Sequence, residues 1–89
     1  MRSTPLRPET LSDCLALEIV AQRKRAGLTQ VEFAKRVGEN QSALCRVERG
    51  TLLLTMQRLE RYAAALGKRP SALLKSAERL HAALQPPSP

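Results

Sequence analysis

Aromatic residues are almost absent from this 89-residue chain: Phe33 and Tyr62 are the only two, and there is no tryptophan. Binders of single-stranded nucleic acid stack bases on several aromatic platforms, so that mode is disfavoured. Cysteine is equally scarce. Cys14 and Cys45 lie far apart without CxxC spacing, which reads as two reduced thiols rather than a disulfide. A redox role for Cys45 is the weaker alternative. The single histidine, His81, has no Cys, Asp or second His at ligand spacing, so it reads as an ordinary helix residue, with no metal and no cofactor expected. Ser/His/Asp and Cys/His sets, paired carboxylates and phosphate loops are missing too, and an enzyme is not expected. No apolar run approaches the roughly 18 residues of a membrane span. The longest apolar patch, at Thr51-Leu-Leu-Leu-Thr55, has loop length. Residues 1–8 lack the apolar stretch of a signal peptide, so a cytoplasmic protein without membrane association is expected.

What the chain does have is positive charge and helical periodicity. Lys and Arg total 15 against 8 for Asp and Glu, a formal net charge of +7. On a body of one small domain, that excess attracts polyanions at long range. Residues 1–8 hold two prolines and two arginines and read as a flexible basic arm. Residues 86–89, Pro-Pro-Ser-Pro, cannot continue a helix and read as a frayed tail. Residues 9–85 form the domain between them.

Five helices fit that domain, and no segment alternates like a strand, so the fold class is all-α. The first runs from about Thr10 to Ala26, with Leu11, Leu15, Ile19 and Ala26 at helical spacing. The second, Gln30 to Val37, opens on the capping box Thr29-Gln-Val-Glu32 and turns Phe33, Ala34 and Val37 inward. The third, Gln41 to Arg49, has Asn40 as N-cap, with Leu44 and Val47 inward. The fourth, Met56 to Leu66, carries the stripe Met56, Leu59, Ala63, Leu66 behind Thr55. The fifth runs from Pro70 to Leu84 with Leu73, Ala77, Leu80 and Leu84 on one face. The four glycines, Gly27, Gly38, Gly50 and Gly67, each close one of the first four helices.

The third helix has only two strong inward positions. Gln41, Ser42, Cys45, Arg46 and Arg49 lie off that face. So little apolar surface leaves a free polar face, and the major groove of DNA admits one helix. The run Gln30-x-x-Phe33-Ala34-x-x-x-Gly38-x-x-Gln41-Ser42-x-Leu44-x-x-Val47-Glu48-x-Gly50 resembles the helix-turn-helix of the phage repressor and Cro (xenobiotic-response-element) superfamily. Its members are a standard illustration of major-groove docking. The resemblance extends from about Leu15 to Leu74, through Ile19, Arg23, Thr55, Met56, Leu59, Ala63, Leu66-Gly67 and Leu73.

The resemblance implies a five-helix, lambda-repressor-like domain with helix-turn-helix in helices two and three. It implies base contacts from Gln41, Ser42 and Arg46, and phosphate contacts from Gln30, Asn40, Arg49 and Thr51, the last through its main chain. It also implies a structural ion pair between Arg23 and Glu48 that fixes the angle of the recognition helix. Read without the resemblance, Gln41 and Ser42 are a polar helix start, and Arg46 and Arg49 are solvated surface. The Lys24-Arg25 and Lys35-Arg36 pairs read as general electrostatic attraction. The chain departs from the family pattern at Leu54, where proline is common, and at Glu39 and Lys68, which replace apolar residues.

The resulting expectation is a sequence-specific transcriptional regulator of double-stranded DNA, a homodimeric repressor of a palindromic operator. Leu73, Ala77, Leu80 and Leu84 and the leucine loop are the candidate dimer contacts. The alternatives are an antitoxin that holds both operator DNA and a toxin protein, and a protein-binding module that kept the fold without DNA binding.

Overall fold

The computed structural model describes residues 8–85. The expected basic arm (1–8) lies outside these residues but for Pro8, and the tail (86–89) lies outside them entirely. The described residues form five helices and no strand: α1 (Leu11–Arg25), α2 (Gln30–Val37), α3 (Gln41–Glu48), α4 (Met56–Ala65) and α5 (Pro70–Leu84).

Side-chain caps set where the helices begin. Thr10 Oγ1 accepts from the Asp13 N–H while the Asp13 carboxylate accepts from the Thr10 N–H, a reciprocal box. Thr29 and Glu32 repeat the arrangement at α2. Asn40 Oδ1 accepts from the Ala43 N–H at 2.7 Å, and Thr55 Oγ1 accepts from the Arg58 N–H at 3.1 Å. Each cap satisfies a donor that the first turn cannot pair internally, a gain of about 0.5–2 kcal/mol. Between α2 and α3 the chain reverses at Gly38, whose φ of 74° lies in the left-handed region. Its N–H and that of Glu39 close back on the last carbonyls of α2.

α5 packs mainly along α1, while α2 touches both α3 and α4. The core is a single cluster in which Ile19, Phe33, Leu44, Tyr62 and Ala77 are wholly buried. The two aromatics meet edge to face, with ring centroids 5.5 Å apart, an arrangement worth about 0.5–1.5 kcal/mol beyond burial.

Several expectations are corrected here. Met56 is 62% exposed rather than part of the core stripe. It is the first residue of α4, so its side chain has no preceding turn to lie against. Ala26, Arg49 and Leu66 are C-caps rather than last helical residues, which shortens α1, α3 and α4. The leucine loop divides: Leu52 and Leu54 pack against the core while Leu53 is 73% exposed. Of this candidate dimer contact, Leu53 is thus the leucine left on the surface.

Candidate nucleic-acid interface

α3 has eight residues, fewer than the 12 to 15 or so that an isolated helix needs to persist. Its position therefore depends on what holds it. Leu44 and Val47 are buried in the core cluster. The third inward residue, Glu48, is 7% exposed and meets Arg23 of α1, also 7% exposed. Arg23 Nε donates to Glu48 Oε2 at 2.6 Å, and Arg23 Nη2 donates to Oε1 at 3.0 Å, a two-pronged guanidinium–carboxylate pair. The remaining prong, Nη1, donates to the Leu28 carbonyl at 2.8 Å. Among the described residues, no buried side-chain nitrogen or oxygen lacks a partner.

With that face turned inward, Gln41, Ser42, Arg46 and Arg49 are exposed and Cys45 is half-buried. Gln41 and Ser42 occupy the first turn and Arg46 the next. This brings together the three residues expected to read bases. The first turn also carries the positive end of the helix dipole and amides that α3 leaves unpaired, which favours an approaching phosphate.

The expected phosphate contacts are arranged less simply. Gln30, the first residue of α2, donates from Nε2 to Glu48 Oε1 at 2.9 Å. One of its two amide hydrogens thus completes the Arg23–Glu48 cluster and only the other can meet a phosphate. Asn40 is exposed, but its Oδ1 caps α3, so a phosphate contact falls to its amide nitrogen. Arg49 is exposed at the C-cap. The Thr51 N–H donates to the Arg46 carbonyl at 2.9 Å and its hydroxyl donates to the same oxygen at 3.2 Å. Its main-chain donor is therefore already engaged in closing α3, which corrects the expected main-chain contact.

The dimer face needs correction as well. Leu73 and Ala77 are 1% and 0% exposed, buried within this chain's own core, and offer no surface to a partner. Leu80 is half-buried against that core, and only Leu84, at 49%, is exposed. A separate apolar groove of about 250 Å³ is lined by Leu11, Leu15, Leu54, Met56, Leu59 and Leu74.

A second polar cluster escaped the sequence reading. Glu39, one residue before the N-cap of α3, accepts from Arg58 Nε at 2.6 Å and from Arg61 Nη2 at 3.3 Å, and also accepts from the Tyr62 hydroxyl. Burial raises the Glu39 carboxyl, but these hydrogen bonds outweigh it and hold its pKa below the ordinary value. Burial and the adjacent carboxylate together push the Tyr62 phenol well above its usual range. The available signal was the spacing of Arg58, Arg61 and Tyr62, which places two cations and a phenol on one face of α4.

Comparison with known proteins agrees with this architecture. No curated protein matches the chain. Among solved structures, it is similar to the clp gene regulator ClgR from Corynebacterium glutamicum, with 26% identity and a TM-score of 0.79 over 85% of this chain and 82% of that one. A second ClgR structure gives a TM-score of 0.78 at 26% identity, over 89% and 100%. A hypothetical transcription factor, NHTF, from Neisseria gives 0.71 at 27% identity, over 90% and 97%. The family model described as Helix-turn-helix (HTH_3) matches residues 19–73, from the middle of α1 into α5. The chain belongs to this Cro/C1-type helix-turn-helix family of DNA-binding regulators.

Proposed function

We propose that this protein is a sequence-specific transcriptional repressor, acting in the cytoplasm, that binds a palindromic operator as a homodimer. The observation that carries the reading is the division of α3: Leu44, Val47 and Glu48 are buried, while Gln41, Ser42 and Arg46 are exposed beside a capped N-terminus. In this reading Gln41 and Ser42 reach base edges and Arg46 reads guanine or clamps a phosphate. Asn40, Arg49 and the second amide hydrogen of Gln30 contact the backbone and fix the register. A single helix of this length covers only a few base pairs. Two copies related by a two-fold axis, about one DNA turn apart, supply a full site. Leu84 and the half-buried Leu80 remain as helix-five contacts for such a dimer.

Selection from a pool of random duplexes tests this directly. The expected product is a motif with two inverted half-sites centred about 10 base pairs apart. Recovery of no preferred sequence would refute it.

A second reading, an antitoxin that binds both its operator and a toxin protein, draws on the apolar groove and on Leu53 and Met56, which are 73% and 62% exposed. Surface of that kind suits a protein partner. Co-expression with the product of an adjacent gene separates the two readings: a stable complex that relieves that product's toxicity supports the antitoxin.

A further inference from the structure

Two polar clusters flank α3, and only one of them is the Arg23–Glu48 pair. The other stands at the opposite end, before the N-cap, where Glu39 is gripped from α4. Its side chain is 6% exposed, so this is a shielded anchor rather than a surface ion pair. Arg58 does more than neutralise it. While Nε donates to Glu39, Nη1 donates to the Leu53 carbonyl at 3.1 Å. Glu39 precedes α3 and Leu53 follows it, so one guanidinium ties both flanks of the helix to α4. Arg61 adds a third tie, with Nη1 donating to the Val37 carbonyl at 3.2 Å, at the end of α2. Tyr62, wholly buried against Phe33, supplies the rigid side of the cluster.

From this geometry we propose that Glu39 is a positioning residue: through Arg58 and Tyr62 it locks the N-terminal end of α3 onto α4 and so sets where Gln41 and Ser42 meet DNA bases. The inference rests on the base-reading role proposed above. The physical case is that two points define an axis. The Arg23–Glu48 pair holds the last turn of α3, and Leu44 and Val47 hold its middle. The Asn40 cap is internal to the helix and fixes nothing relative to the rest of the domain. Glu39 is what ties the start of α3 to another element. Base contacts tolerate only about 0.5 Å of displacement, whereas attraction to phosphates is long-ranged. Loosening the lock therefore weakens base selection before it weakens attachment to DNA.

The test compares wild type with Glu39→Gln, which keeps shape but loses charge, and with Glu39→Asp, which keeps charge. Binding to the selected duplex and to random duplex is measured under conditions where all three are folded. Glu39→Gln is expected to lower the ratio of selected to random affinity by about tenfold, the discrimination carried by one well-placed base contact. Random-duplex affinity should stay within about twofold, and Glu39→Asp should recover part of the ratio. An unchanged ratio in folded Glu39→Gln overturns the proposal.

Hydrogen exchange tests the lock independently of DNA. The Ala43 and Leu44 amides, which donate to Asn40 Oδ1 and Asn40 O, are expected to exchange about tenfold faster in Glu39→Gln, with α1 amides changing less. A uniform acceleration across all helices would reduce Glu39 to general stability and overturn the lock. Failure of wild type to prefer any duplex refutes the proposed function, while the exchange result still decides whether the lock exists.

Discussion

Arg23→Ala takes away three hydrogen bonds at once, and the structure indicates what that costs. The Arg23 and Glu48 side chains are 8% and 5% exposed. Truncation leaves the Glu48 carboxylate shielded from water beside the Gln30 amide at 2.9 Å, and strips the Leu28 carbonyl of its side-chain donor. Removing one partner of a buried pair costs about 3–5 kcal/mol, because the remaining charge stays desolvated. The total stability of domains is about 5–15 kcal/mol, and a chain this small sits toward the low end. Most of the folding free energy is thus at risk. At about 4–8 °C per kcal/mol, the melting temperature should fall by roughly 12 °C or more. The control is the double variant Arg23→Met, Glu48→Leu. Replacing both charges with apolar side chains of similar volume is often neutral or stabilising, so this protein should remain folded. Urea unfolding followed by circular dichroism measures both. An Arg23→Ala variant that unfolds within about 0.5 kcal/mol of wild type, the range of ordinary surface changes, would show that the pair does not hold the fold. A double variant destabilised as much as the single one would show that the stranded charge is not the cause.

Three further outcomes are expected from the packing and backbone of the domain. Leu44→Ala empties a wholly buried site on α3 and should cost about 2–5 kcal/mol in urea unfolding. Gly38→Ala meets no steric obstacle, since the nearest atom to an added Cβ is Arg61 Nη1 at 3.9 Å, but it must hold a φ of 74°. The strain should cost about 1–2 kcal/mol, and Gly38→Asn should cost less, because asparagine visits that region more readily. Glu39 has a folded pKa below its ordinary 4.5. A depressed carboxylate pKa contributes stability that is present above the unfolded value and lost as pH falls through the folded one. The melting-temperature gap between wild type and Glu39→Gln should therefore be full near neutrality and shrink below about pH 4.5.

Much of the fold was legible because helix boundaries are written in local chemistry. Thr10, Thr29, Asn40 and Thr55 mark starts through side-chain caps, and glycines mark the stops, all within a turn of the residues they serve. The Arg23–Glu48 pair spans 25 positions, and no spacing rule reaches that far; only the family resemblance suggested it. Glu39 illustrates the limit. Its partners lie 19 to 23 residues away, and alone in a turn it looks like an exposed acid. Periodicity on α5 correctly picked out an apolar face, but could not say whether α1 or a second copy would cover it. For Leu73 and Ala77 the structure answers that the chain covers them itself. Gln30 shows the same ambiguity in a polar residue: a first-turn amide suits a phosphate or a neighbouring carboxylate equally well, and here it has found Glu48.

The proposed function requires that the exposed face of α3 read DNA sequence. Fluorescence anisotropy across a salt series tests it most directly. Wild type and the Gln41→Ala, Ser42→Ala, Arg46→Ala variant are compared on a selected duplex and on a random one. Wild type should bind the selected duplex tightly and in a salt-dependent way. The variant, its circular dichroism unchanged, should lose that preference while still binding both duplexes weakly through its charge. A folded variant that discriminates between the duplexes as well as wild type does would move the reading surface away from α3.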